Sequence, residues 1–136
     1  MRRLAFAVVV PALIVGALAA FAGAPASGGR AASATTVGVT AGKPSEFGFK
    51  LSAKTVAHGA VTFTVTNAGA IPHTFKVCSK ATTTAANSCT GKGTPMLSGG
   101  QKATLKVTFL KAGTYEYLCT VPGHAAGGMK GLLKVT

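Results

Sequence analysis

From residue 35 onward the chain alternates apolar and polar side chains with a period of two, and this pattern limits the possible folds more than any other feature. It recurs in Phe47-Phe49-Leu51, Val61-Phe63-Val65, Phe75-Val77, Leu105-Val107-Phe109, Tyr115-Tyr117-Cys119 and Leu133-Val135. Successive side chains on a strand point to opposite faces, so this spacing gives half-buried strands with one dry face and one wet. Thr62, Thr64, Thr66, Lys106 and Thr108 fill the wet positions, and β-branched Thr suits a pleated surface. His58-Gly59, Asn67-Ala68-Gly69 and Ala112-Gly113 supply turns between the runs. The chain is read as all-β: two packed antiparallel sheets of seven to eight strands, Val37–Thr40 included, with phenylalanines and valines facing inward.

Ser79 to Gly100, rich in Thr, Ala, Gly and Ser, interrupts the alternation and reads as an excursion loop with a short helical turn. Cys78 and Cys89 stand at its start and middle. In an oxidising compartment that spacing predicts a disulfide, which leaves Cys119 without a partner thiol and in need of protection, intermolecular pairing or a metal.

The compartment follows from the first residues. Met1-Arg2-Arg3 is a basic start, Leu4 to Ala22 is an unbroken apolar run, and small residues follow to Ala34, which is the grammar of a signal peptide. Candidate cleavage sites are Ala24-Pro25-Ala26 and Ala32-Ser33-Ala34; the second leaves Thr35 as the new N-terminus and divides the chain into a leader, 1–34, and one domain, 35–136. The run is also nearly long enough to remain as an uncleaved anchor. The expected location is periplasmic or extracellular, with membrane association through the N-terminal segment as the alternative.

Charge narrows the partners. Loss of residues 1–34 removes all three arginines and leaves eleven lysines against two glutamates, a formal +9. Without Arg there is no bidentate recognition of phosphate or base, and an exported protein seldom meets nucleic acid, so none is expected. An acidic redox partner or an anionic membrane surface fits better, although lysines also serve simply to keep a β surface soluble and its edges unpaired. The chain has no Asp, and its only acids are Glu46 and Glu116. A Ser-His-Asp triad, a glycosidase carboxylate pair and an oxygen-ligand calcium loop are thereby excluded.

The chemistry concentrates around Cys119, where Cys119, His124 and Met129 form C-x4-H-x4-M after a strand, and His73 lies in Ile71-Pro72-His73-Thr74-Phe75. Two imidazoles, a thiolate and a thioether are the ligands of a mononuclear blue-copper site, with His2Cys in a plane and Met at a long axial distance. Imidazole suits Cu(II), the sulfurs suit Cu(I), and an intermediate geometry keeps reorganisation small. Gly123, Gly127 and Gly128 permit the tight loop that returns His124 and Met129 to the same ion as Cys119. Zinc could use Cys119, His73 and His124, but thioether is a poor zinc ligand. A Cys119–His124 nucleophile lacks an evident orienting third group.

The stretches Gly59–Gly69, Pro72–Phe75, Gly113–His124 and Gly128–Gly131 resemble the plastocyanin/azurin family of cupredoxins over essentially the whole of 35–136. The Cys-to-His spacing is similar to that of the long-loop, rusticyanin-like and auracyanin-like members. The resemblance implies a Greek-key β-sandwich and one-electron transfer through type 1 copper; a monomer is expected. His73, Cys119 and His124 are then the strong ligands and Met129 the axial one. It also implies that the edge of His124 reaches the surface, here within a rim of Ile71, Pro72, Pro122, Ala125 and Ala126. One departure is Thr74, which stands where many members have an Asn tying the two copper loops together; its hydroxyl offers a bridge to the loop around Cys119. Copper enzymes of related build need a second centre with several more histidines, and this chain has only His58 to spare. A copper carrier or storage protein and a metal-free β-sandwich binding module remain as alternatives.

Overall fold

A computed structural model describes residues 34–136; the leader reading of 1–34 lies almost wholly outside them. The described residues form nine strands: β1 (Thr35–Ala41), β2 (Phe49–Leu51), β3 (Thr55–Val56), β4 (Gly59–Asn67), β5 (Lys76–Ala81), β6 (Gly91–Gly93), β7 (Lys102–Phe109), β8 (Gly113–Leu118) and β9 (Lys130–Val135). They make two sheets, ordered β2-β1-β4-β7 and β3-β9-β8-β5-β6. The all-β expectation holds, and the strand count exceeds seven to eight because β3 and β6, of two and three residues, carry too little sequence to show a period.

The sheets are not wholly antiparallel. β1 runs parallel to β4, with Thr35 opposite Val61 and Ala41 opposite Asn67, and β3 runs parallel to β9. Side-chain alternation is the same in either direction, so periodicity alone could not reveal this. Phe47 also departs from the expected strand: it lies in the turn before β2 and is 43% exposed.

Between the sheets the inward side chains interlock. Val37, Val39, Val61, Phe63 and Val65 from one sheet meet Val77, Tyr115, Tyr117, Leu133 and Val135 from the other. Phe75, fully buried, packs its ring against Phe49, Phe63 and Tyr117 at centroid distances of 5.3, 5.4 and 5.6 Å. Truncating a phenylalanine so enclosed costs about 3–5 kcal/mol. This anchor lies two residues beyond His73 and fixes the chain that carries it.

The Ser79–Gly100 segment is more ordered than an excursion loop, and it contains no helical turn. β5 extends to Ala81, β6 pairs back onto β5 with Gly91 opposite Cys78, and Leu97 forms an isolated bridge with His73. Cys78 and Cys89 are bonded as predicted. Closing a loop of this length contributes about 3 kcal/mol by restricting the unfolded chain. Cys78, Leu118 and Ala125, with Cys89 against them, form a small apolar cluster, so all of Tyr115–Leu118 on β8 is buried on both faces. The segment is a cover over the second sheet. Among the described residues no helix is long and apolar enough to cross a membrane.

Candidate metal centre

β8 and β9 are antiparallel neighbours, so the connection between them must turn back at one end of the sandwich. That connection, residues 119–129, holds Cys119 at its first position, His124 at its middle and Met129 at its last. It is braced from within: Cys119 N–H donates to the Met129 carbonyl at 3.0 Å, Met129 N–H to the His124 carbonyl at 2.9 Å, and His124 N–H to the Val121 carbonyl at 3.1 Å. Gly123 and Gly128 take φ of 83° and 106°, a left-handed backbone that side chains disfavour.

His73 reaches the same point from the loop between β4 and β5. Its backbone exchanges hydrogen bonds with Leu97, at 3.0 and 2.8 Å. The loop is further held by Asn67, whose buried amide donates to the carbonyls of Ile71 at 2.8 Å and Leu97 at 2.7 Å and accepts from Gly69 N–H at 2.8 Å.

The donor atoms converge. His73 Nδ1 lies 3.2 Å from His124 Nδ1, His124 Nδ1 lies 3.5 Å from Cys119 Sγ, and one donor atom from each residue lies within 4.8 Å of the others. All three side chains are buried, His124 being the most exposed at 8%. Burial holds the His124 imidazole below its ordinary protonation range, and the neighbouring His73 pushes it the same way, against an opposing pull from Glu46. Two ring nitrogens face to face beside a sulfur form an electron-rich pocket that a soft or borderline cation satisfies. Met129, fully buried, packs with Cys119 and Ala41 at the same place.

Thr74 links the two loops. Its Oγ1 accepts from Thr120 N–H at 2.7 Å, lies 2.8 Å from Thr120 Oγ1, and donates toward Cys119 Sγ at 3.6 Å, while Thr74 N–H donates to the same sulfur at 3.4 Å. With Thr120 O–H donating to Thr74, every polar atom of the bridge is used. The tie expected of an Asn is thus made by a hydroxyl.

Residues 35–136 match the family described as copper binding proteins, plastocyanin/azurin family. The chain belongs to that family. Among solved cupredoxin structures, reduced auracyanin from Roseiflexus castenholzii superposes with a TM-score of 0.61 at 26% identity, covering 78% of this chain and 99% of that one. Rusticyanin from Thiobacillus ferrooxidans gives 0.54 at 28% identity, covering 74% and 76%. Auracyanin-B of Chloroflexus aurantiacus is 46% identical over 43 residues, a match that spans 32% of this chain and 18% of that protein's length. The long-loop resemblance drawn from the spacing therefore stands.

Some features of this centre carry no signal in the sequence. Glu46 places Oε1 2.9 Å from His73 Nε2 and accepts from Ala70 N–H at 3.0 Å and Ile71 N–H at 3.1 Å. Those backbone donors, Ile71 first, and the His73 ring hold its carboxyl below the ordinary carboxylate range. Phe47 sets its ring edge-on to His124 at 4.9 Å. Ala125 is not part of the rim; it is buried against Cys78 and Leu118. Neither a lone Glu nor an exposed Phe carries a local signal of its partner. His58 stays apart, donating Nδ1–H to the Thr136 carbonyl at 3.0 Å.

Proposed function

We propose that this protein is an exported electron carrier that passes one electron at a time through a single type 1 copper ion. The single observation that carries the reading is the buried convergence of His73 Nδ1, His124 Nδ1 and Cys119 Sγ in a chain of a copper-binding family. Met129, packed against Cys119, is the proposed fourth ligand. When bound, copper supplies a one-electron change between Cu(II) and Cu(I). The protein holds the donor set still: Phe75 anchors the His73 segment, the 119–129 turn braces itself, and Thr74 ties the two while donating to the sulfur. An electron enters and leaves without any bond being made or broken in the chain.

His124 is the exchange point, with Phe47, Ile71, Pro72, Pro122 and Ala126 exposed or partly exposed nearby in the chain or in space. A rim of low polarity lets a partner approach with little polar surface to desolvate, which favours brief docking. The eleven lysines steer acidic redox partners. The Cys78–Cys89 bond supports an oxidising compartment, hence export of residues 35–136 behind the 1–34 leader. The protein acts as a carrier, not an enzyme: a second copper centre needs several more histidines, and the one remaining, His58, is engaged with the C-terminal backbone.

Titrating the metal-free protein with Cu(II) tests this. Intense blue absorption that bleaches on reduction and returns on oxidation is expected; a colourless product overturns the reading. Challenge with a chelator separates the carrier from a copper storage protein, because an electron carrier releases its ion slowly and a storage protein quickly.

A further inference from the structure

We infer that Glu46 is a positioning residue of the metal centre: its carboxylate takes the Nε2–H of His73, turns the Nδ1 lone pair toward the ion, and biases that ion toward Cu(II). The inference rests on the copper reading above and adds to it what sets the balance between the two oxidation states.

Three observations meet here. The first is the contact itself, 2.9 Å between Glu46 Oε1 and His73 Nε2. A carboxylate without a proton can only accept, so the ring carries a hydrogen on Nε2, and the neutral imidazole then presents its Nδ1 lone pair on the side of His124 and Cys119. The second is that the carboxylate is locked. Ala70 N–H reaches both oxygens, at 3.0 and 3.2 Å, and Ile71 N–H reaches Oε1 at 3.1 Å, so Glu46 cannot swing off the ring without leaving two backbone donors behind.

The third is that the backbone makes room for it. A Cβ on Gly69 would lie 2.3 Å from Glu46 Oε1 and 3.0 Å from His73 Nε2, and a Cβ on Gly42 would lie 2.5 Å from the Gly69 Cα. Two glycines in contact form the slot through which the carboxylate reaches the histidine. The turn that presents Glu46 is closed by Gly42 N–H to the Gly48 carbonyl at 2.9 Å, and its next residue, Phe47, rests on the other imidazole. One loop therefore touches both ring ligands.

The chemical consequence follows from charge. An anionic acceptor makes the opposite ring nitrogen a better donor than a neutral acceptor would, and a better donor favours the higher metal charge. Outer partners of this kind are typically worth 10–100-fold in metal affinity.

The test compares the native protein with Glu46→Gln and Glu46→Asp. Glu46→Gln keeps the shape and removes the charge. It is expected to take copper and turn blue, with the Cu(II)-to-Cu(I) affinity ratio lowered about tenfold, a rise in reduction potential of about 59 mV for one electron. Glu46→Asp, which retains the charge, is expected to fall between the two. Nitrogen NMR of His73 in the native metal-free protein provides a readout that needs neither copper nor a variant, and is expected to show the proton on Nε2. A Glu46→Gln potential equal to the native one, or a His73 proton on Nδ1, overturns the inference. A native protein that takes no copper overturns the underlying functional reading instead, and the NMR measurement still decides the contact.

Discussion

Asn67 shows how much of the centre depends on a side chain that touches no ligand. Fully buried, it spans the turn that carries His73 by bonding Gly69, Ile71 and Leu97. Removing its amide leaves the part-buried Ile71 carbonyl and Gly69 N–H without that partner, at about 1–3 kcal/mol for each group left unsatisfied, and takes one of two donors from the Leu97 carbonyl, which keeps the His73 N–H. Asn67→Ala is expected to lower unfolding free energy by about 3 kcal/mol or more, measured by urea titration. In the sequence Asn67 read only as a turn residue, because Asn before Ala-Gly says nothing about a carbonyl thirty positions away. Cys119, His124 and Met129 were legible because they share one short stretch, and His73 because the leftover thiol demanded partners. Glu46 was not, since a single acid among lysines looks like any solvated residue. Acid sensitivity also belongs at this scale. His124 and Glu46 both protonate less readily in the fold than in the open chain, so the unfolded state binds more protons and stability rises with pH. The metal-free protein should therefore weaken as pH falls below about 6.5, the ordinary value for His124, and again as Glu46 protonates below the usual carboxylate range of about 4.5. Urea midpoints at a series of pH values check both steps.

At the level of elements, period-two spacing located the long strands but not their company. Which strand lies beside which depends on contacts far apart in sequence, and β1 against β4 or β3 against β9 leaves no local trace. The short β6 was hidden for a related reason: Gly91-Lys92-Gly93 has no apolar member to alternate. Its first glycine is nonetheless a strong constraint. A Cβ on Gly91 would fall 2.0 Å from the Val77 carbonyl oxygen, inside the backbone of β5 itself. Gly91→Ala must push β6 away from β5, and is expected to cost about 2–3 kcal/mol and to speed amide exchange through Val77–Ser79. Unchanged exchange there would mean that β6 contributes little to the sheet.

For the whole molecule, the charge ratio is the dominant fact outside the metal centre. Eleven lysines spread over a fold with two acids, one of which is bonded to a histidine, give a positive field that reaches into solvent. Electron transfer from an acidic donor is expected to slow as ionic strength rises through about 0.1 M, where the screening length falls to about 10 Å. A rate indifferent to salt would leave the lysines with a solubility role only. The cysteines carry a different consequence, for how the molecule matures. Of the three ways to join two of Cys78, Cys89 and Cys119, two consume the sulfur that the ion needs. In the finished fold Gly91 lies opposite Cys78, which brings Cys89 within bonding reach, while Cys119 is sealed behind its own turn. Oxidising the reduced chain in denaturant should thus give a mispaired fraction that never colours, and allowing β5 to find β6 before adding the oxidant should abolish it.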